Sequence, residues 1–243
     1  MDRQVTIYAA GSLKRAFTDL FDVFSRDTGV SVKAEFGPAG YMRERLEQGE
    51  RADLFASADR ASPQQLVSGG KASDLQVFAH NGLCAVVAHD SPVTTETLLS
   101  AMLDPKYRLG TSTPVLDPSG DYAVQVFEQA EAIHPGAEKI LRDKAQALVG
   151  GRVPTPIPSG WVASEYLVAS GATDIFLSYS SYRKAMSSSG RIRVIELPDA
   201  LKVRADYTLV TLNGSGDDAG QLRAFILGEH GQAILQRHGF LVP

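Results

Sequence analysis

Between Val5 and Phe24 the chain carries a short apolar run, Val5-Thr6-Ile7-Tyr8-Ala9, then a small-residue turn, Ala10-Gly11-Ser12. An amphipathic stretch follows, in which Leu13, Ala16, Phe17, Leu20, Phe21 and Phe24 recur at helical spacing. This predicts a strand, a tight turn and a helix, and the unit recurs. Val30 to Phe36 alternates as a strand, Gly37-Pro38-Ala39-Gly40 breaks it, and Tyr41, Met42, Arg45 and Leu46 open a second helix. Ala52 to Asp59 is a third strand, and Ser62-Pro63 starts the helix that carries Leu66 and Val67. Strands joined by helical crossovers pair in parallel, because each helix returns the chain to the end it left. The loops at the carboxyl ends of the strands then gather on one edge, where open sheets of this type bind ligands. Ser12 falls at an N-cap position and Gly11 allows close backbone approach, so the first-turn N–H groups face an anion or other acceptor above the strand end. The alternative for Ser12 is a cap and nothing more.

With 243 residues the chain is long enough for one large α/β unit or for two lobes of about 100 to 150 residues each. Its 24 Lys+Arg against 28 Asp+Glu give a net charge of −4 with no basic block, which argues against nucleic acid or an anionic membrane as the main partner. The single cysteine, Cys84, lies in the apolar run Gly82 to Ala88 and reads as a buried strand residue. One cysteine makes no disulfide within the chain and leaves the redox compartment open. No apolar segment approaches the roughly 18 residues of a membrane helix. Met1 runs almost directly into a strand, as in a cytosolic protein or in one whose export signal has been removed.

After Ser91-Pro92, Thr95 to Leu103 suits a short helix and Tyr107 to Ser112 a strand leading into a loop. Thr113 to Gly120 feeds a helix with Tyr122, Ala123, Val124, Val126 and Phe127, and another helix is expected from Gly136 to Leu148. A proline-rich connector through Pro154, Pro156 and Pro158 ends in Ser159-Gly160, where a helix is predicted to start at Trp161. Strands follow at Asp174 to Tyr179, Arg191 to Ile195 and Asp206 to Thr211, and two helices close the chain. Those helices have no sheet of their own and are expected to return to the first lobe. The expected division is lobe I, residues 1–83 and 200–243, and lobe II, residues 84–199, with a cleft between them toward which both lobes aim helix N-termini.

Four turns precede helices and consist of small residues: Gly11-Ser12, Pro38-Ala39-Gly40, Pro118-Ser119-Gly120 and Ser159-Gly160-Trp161. Ser178-Tyr179-Ser180-Ser181-Tyr182 adds hydroxyl donors after a strand. None carries Lys or Arg at its tip. Neutral dipoles of this kind suit a small desolvated oxyanion better than a polyphosphate.

The chain resembles the molybdate-binding proteins of ABC transporters, two-lobed periplasmic solute-binding proteins. The resemblance is carried by Ala9-Ala10-Gly11-Ser12-Leu13, by Gly49 to Asp59 with its Ala-Asp-Leu-Phe-Ala-Ser-Ala-Asp block, by Pro118 to Ala123, and by Gly231 to Phe240. It implies an α/β, two-lobed periplasmic-binding-protein type II fold, each lobe a mixed, mostly parallel sheet flanked by helices, with the ligand in the interlobe cleft. It further implies a monomer outside the cytoplasm, with its export signal removed, that captures molybdate or tungstate and delivers it to an ABC permease, without a cofactor, nucleic acid or membrane insertion. Carried over by position, the ligand-binding residues are Ser12 with Gly11, Ala39 with Gly40, the Ser119 backbone, Trp161 and the Tyr179 hydroxyl. Here the second loop departs from the family pattern, since Ala39 stands where a serine is expected and one hydroxyl is missing. Asp117 and Asp121 lie close enough in sequence to the third loop to supply carboxylates to the metal.

Tyr179 and Tyr182 also raise a ferric-iron reading, because phenolates are hard-metal ligands. An enzyme on the same fold is a further alternative, but none of the five histidines has metal-binding spacing and Gly11-Ser12-Leu13 is not a Gly-x-Ser-x-Gly elbow. A regulator's sensing domain is a third, and no DNA-binding helix pair accompanies it.

Overall fold

The computed structural model describes residues 3–186 and 190–243, so Met1, where the sequence opens, lies outside them. The chain divides into two compact units, Met1–Asn81 with Ala205–Pro243, and Gly82–Arg204.

In the first unit β1 (Gln4–Ala10) lies between β2 (Ser31–Gly37) and β3 (Leu54–Ser57), parallel to both. Val5, Ile7, Tyr8, Ala9 and Ala10 are all buried, so both faces of β1 are covered, as expected of a parallel strand with helical crossovers. The crossovers are α1 (Lys14–Thr28), α2 (Ala39–Glu47) and α3 (Ala61–Ser68). Helix α1 turns Ala16, Phe17, Leu20, Phe21 and Phe24 inward, and Gly29, at φ 71°, ends it in the left-handed conformation that glycine adopts without steric cost. Parallel register sets Ala10 opposite Gly37 and Ala9 opposite Ala56, which brings the loops after all three strands to one edge.

β9 (Arg204–Leu212) runs antiparallel beside β3, and β4 (Ala72–Ala88) follows it in the sheet. The last helices, α9 (Asp217–Leu227) and α10 (Glu229–Arg237), belong to this unit. Phe225 of α9 meets Phe24 edge-on at 5.6 Å, and Leu241 pairs with His80. A line of rings, Phe17 to Phe78 at 6.0 Å, Phe78 to Tyr207 at 6.3 Å and Tyr207 to Phe240 at 5.2 Å, ties α1, β4, β9 and the C-terminal segment together.

In the second unit the apolar half of β4 pairs antiparallel with β7 (Ile175–Tyr179) and β8 (Ile192–Glu196). β5 (Leu109–Ser112) is parallel to β7 and to β6 (Gln146–Val149). The helices are α4 (Leu98–Leu103), α5 (Pro118–Ile133), α6 (Ala137–Lys144), α7 (Ala163–Ala169) and α8 (Arg183–Met186). Val86, Val162, Leu167, Val168, Phe176, Met186 and Ile192 form one core cluster. Cys84 is a fully buried strand residue, as its apolar run predicts, and burial pushes its thiol up to about 12. Each sheet is thus mixed and flanked by helices, and among the described residues no helix is long and apolar enough to cross a membrane.

Four local expectations are corrected. β4 begins at Ala72 rather than Gly82; exposed Ser73 and Asp74 mask the strand pattern of its first half. The helix expected to Leu148 stops at Lys144, because Ala145 turns extended and residues 146–149 pair with β5. Helix α7 starts at Ala163, and Trp161 sits in the preceding turn with its N–H donated to the Pro158 carbonyl at 3.3 Å. Ser12 is no N-cap: it lies inside a 3-10 turn, Gly11–Leu13, that precedes α1, and its hydroxyl does not cap.

Candidate functional site

At the carboxyl edge of the first unit three loops follow β1, β2 and β3. In the first, Gly11 is exposed and Ser12 half-buried. The Ser12 Oγ lies 2.8 Å from the Tyr207 Oη, and Asn81 Nδ2 donates to the same phenol oxygen at 3.3 Å. Tyr207 is 0% and Asn81 4% exposed, so the serine is bonded to a buried phenol that Asn81 contacts in turn. A Cβ on Gly11 would meet only the Gly37 carbonyl, at 3.9 Å, so packing within the protein does not demand glycine there.

In the second loop α2 starts at Ala39-Gly40, both buried, after Pro38, and no side chain caps it. Helix geometry leaves the Ala39 and Gly40 N–H groups without intrahelical acceptors, and the helix dipole makes that end electropositive. Both arginines of this helix are paired with carboxylates, Arg43 with Glu47 at 3.6 Å. Arg45 binds Glu50 and Glu35 and stacks over Tyr8, its guanidinium 5.0 Å from the ring centre. The hydrogen bonds from Arg45 and Tyr8 hold Glu50 down at about 2, while burial and Glu50 push the Tyr8 phenol up to about 12.

The third loop is already occupied by the protein. Asp59 accepts from Ser57 Oγ at 3.0 Å and from both the N–H and Oγ of Ser62 at 2.9 Å, closing the start of α3. Asp53 likewise accepts the Thr6 N–H at 2.7 Å. Both carboxylates of the Ala-Asp-Leu-Phe-Ala-Ser-Ala-Asp block therefore serve the fold.

In the second unit, the parallel strands β5, β6 and β7 send their following loops to one edge, and these loops contain Ser119, Trp161 and the end of β7 at Tyr179. Asp117 caps α5: its Oδ1 accepts the Ser119 N–H at 3.0 Å and its Oδ2 the Ser112 hydroxyl at 2.6 Å. Asp121 accepts the Val115 N–H at 2.8 Å, which holds Val115 at φ 72°. Both aspartates are thus engaged within the α5 turn. Tyr179 is buried, its ring edge-on to Tyr122 at 6.4 Å. Trp161 packs edge-on against Tyr166 at 5.6 Å, with the Arg191 guanidinium 5.0 Å from its ring centre. Tyr182 packs against the Val86–Ile192 cluster. Among the described residues no group of three His, Cys, Asp or Glu is placed to hold a metal ion.

Gly11, Ser12, Ala39 and Gly40 therefore share one edge of the first unit, and Ser119, Trp161 and Tyr179 share one edge of the second. Sequence reasoning missed Tyr207 and Asn81. Their signal is faint: a polar Asn81 between His80 and the apolar run of β4, and a tyrosine among the threonines and aliphatic residues of β9.

A family described as bacterial extracellular solute-binding protein matches residues 5–241. An uncharacterized protein of Pasteurella multocida is 36% identical over 237 residues, spanning 97% of this chain and 97% of its own. The molybdate-binding protein ModA of Mycobacterium tuberculosis is 26% identical over 249 residues, covering 99% of this chain and 85% of the relative. Among solved structures, the periplasmic molybdate-binding protein of Azotobacter vinelandii aligns with a TM-score of 0.78 at 18% identity, over 98% of this chain and 99% of that one. The sulfate-binding protein SubI of Mycobacterium tuberculosis aligns at 0.82 and 16% identity, over 98% and 86%. At such identities the structures establish the fold, that of the periplasmic binding proteins. With the match over residues 5–241, the chain belongs to the bacterial extracellular solute-binding protein family.

Proposed function

We propose that this protein captures a tetrahedral oxyanion, molybdate or tungstate, outside the cytoplasm and delivers it to the permease of an ABC importer. The observation that carries the reading is the first-unit edge. An uncapped helix start at Ala39-Gly40 stands on the same edge as a serine hydroxyl bonded to Tyr207, with that helix's Arg45 paired with Glu50 and Glu35 and its Arg43 with Glu47. Such donors recognise an acceptor-only anion without a counter-charge, and their strength rises as water leaves. The relative named as a molybdate-binding protein supports the choice of anion.

In this reading Gly11, Ser12, Ala39 and Gly40 supply the first unit's donors, and Ser119, Trp161 and Tyr179 those of the second. The Ser119 amide becomes available only when Asp117 releases it, and the Trp161 amide only when Pro158 does. Capture, not turnover, is the activity.

A calorimetric and thermal-shift screen of molybdate, tungstate, sulfate, phosphate and ferric citrate tests the proposal. The preferred anion raises stability by about 4 kcal/mol at a thousand times its dissociation constant. A response to ferric citrate alone would replace the oxyanion reading with iron binding. Ser12→Ala should weaken molybdate by about 1 to 3 kcal/mol, the cost of losing a hydrogen bond to a buried charge.

A further inference from the structure

We propose that Asn213 is a modification site at which the chain acts on itself, the side-chain amide being lost to attack by the backbone nitrogen of Gly214. The inference stands apart from the oxyanion reading and uses none of its residues.

The sequence holds two asparagines, Asn81 and Asn213, and a glycine follows each. Glycine has no Cβ to shield its nitrogen or restrict its φ, so this attack is least hindered in an Asn-Gly pair. The structure separates the two pairs. Asn81 is 4% exposed within β4, and its Nδ2 donates to Tyr207 Oη at 3.3 Å. A Cβ on Gly82 would meet the Val203 carbonyl at 3.5 Å and Ser180 Oγ at 3.7 Å. Reaction at Asn81 waits for β4 to open, which slows it by more than about a hundredfold. Asn213 and Gly214 instead form an exposed turn directly after β9. Gly214 has φ 87°, and beyond its chain neighbours nothing lies within 4 Å of where its Cβ would stand. Among the described residues nothing accepts the Gly214 N–H, so the nucleophile, the side-chain carbon and water meet with no strand to open.

Two bonds hold the turn. The Asn213 N–H donates to the Lys71 carbonyl at 3.0 Å, and Nδ2 donates to the Gly70 carbonyl at 2.6 Å. Releasing the exposed side-chain bond slows the reaction by no more than about tenfold. Hydroxide takes the Gly214 N–H proton, and the nitrogen bonds to Asn213 Cγ. The tetrahedral oxyanion collapses and breaks the Cγ–Nδ2 bond, and Nδ2 takes a proton from water and leaves as ammonia. Water then opens the cyclic imide at either carbonyl, giving aspartate or isoaspartate; water is consumed, ammonia is released and nothing is oxidised. In the product a carboxylate oxygen faces the Gly70 carbonyl, acceptor against acceptor, so the side-chain tie between this turn and the segment entering β4 is lost. The net charge moves from −4 to −5.

The test ages the purified protein beside a free peptide of residues 209–217 in mildly alkaline, oxygen-18-labelled water, with peptide mass spectrometry and isoelectric focusing as readouts. Asn213 in the folded chain should convert within about tenfold of the peptide's rate, in proportion to hydroxide, and Asn81 more than about a hundredfold slower than Asn213. Asn213→Gln should abolish the acidic band, because the longer side chain would have to close a larger ring. Slower conversion at Asn213, faster conversion at Asn81, or an acidic band that persists in Asn213→Gln would overturn the assignment. None of these readouts involves the oxyanion, so failure here leaves the proposed function untouched.

Discussion

Helices α2 and α5 begin in opposite ways. α2 opens on Ala39-Gly40 behind Pro38 with no side-chain cap, whereas α5 opens on Pro118-Ser119-Gly120 with the Asp117 carboxylate folded onto the Ser119 amide. Both turns are small-residue loops after a parallel strand, and a sequence reading treats them as equivalent donors. They differ in who neutralises the helix end. At α5 the protein supplies its own anion, bonded as a bound oxyanion would be, and buttressed by the Ser112 hydroxyl. At α2 it supplies none. A helix start left uncapped and buried gives up about 1 kcal/mol of capping stability, which a ligand carrying negative charge restores on binding. On the proposed reading the first unit's loop is the receptive one, and the second unit's is closed by Asp117.

The largest expected effect is at the closed helix start. A Cβ on Gly120 would lie 2.5 Å from the Thr113 and Pro114 backbone, atoms that cannot move aside as a side-chain tip can. Gly120→Ala should destabilise the protein by about 1 to 3 kcal/mol through overpacking, measured by urea unfolding. Gly11→Ala in the receptive edge should stay within about 0.5 kcal/mol of the parent, since its nearest neighbour is 3.9 Å away. Equal losses at the two glycines would erase the contrast between a packed turn and an open one.

Converting the receptive start into a closed one comes next. Pro38 has φ −61° and ψ 122°, an extended conformation that aspartate adopts freely at an N-cap. Pro38→Asp should raise stability by about 0.5 to 1 kcal/mol through the cap and the helix dipole. The same carboxylate should weaken oxyanion binding about tenfold or more, because the Ala39 and Gly40 amides then face a resident anion. Retained affinity would show that α2 is not where the ligand sits.

The architecture was legible in the sequence wherever local pattern and tertiary context agree. Phe17, Leu20, Phe21 and Phe24 at helical spacing and the buried run of β1 report their environment directly. The start of β4 was hidden because its early residues are exposed and polar, and β6 because Gln146-Ala147-Leu148-Val149 suits a helix until pairing with β5 decides otherwise. At the site, the small-residue turns were visible as turns, but their state was not. Nothing in the order of residues shows that Tyr207, distant in sequence, reaches Ser12, and the capping role of Asp117 was passed over in favour of a ligand role. The Tyr207 contact depends on how strands are brought side by side, which periodicity does not encode, whereas the Asp117 bond is a local cap that the Asp117-Pro118 pair at the helix start could have signalled.

Opening α5 carries the finest distinction, because its effect on binding is the smallest and its sign separates two roles for Asp117. Asp117→Ala removes the bonds to the Ser119 amide and the Ser112 hydroxyl and should cost about 1 kcal/mol, the usual value of an N-cap, read as a lowered urea midpoint with unchanged slope. Its effect on molybdate affinity separates two roles. If Asp117 is a cap that competes with the ligand, its loss frees a donor and removes a like charge, and affinity rises or holds. If Asp117 reaches the metal as a ligand in its own right, affinity falls by more than the stability change accounts for. Serine at the same position keeps a cap without charge, so Asp117→Ser should restore most of the stability. Its affinity should follow Asp117→Ala if charge is what keeps the oxyanion from the Ser119 amide.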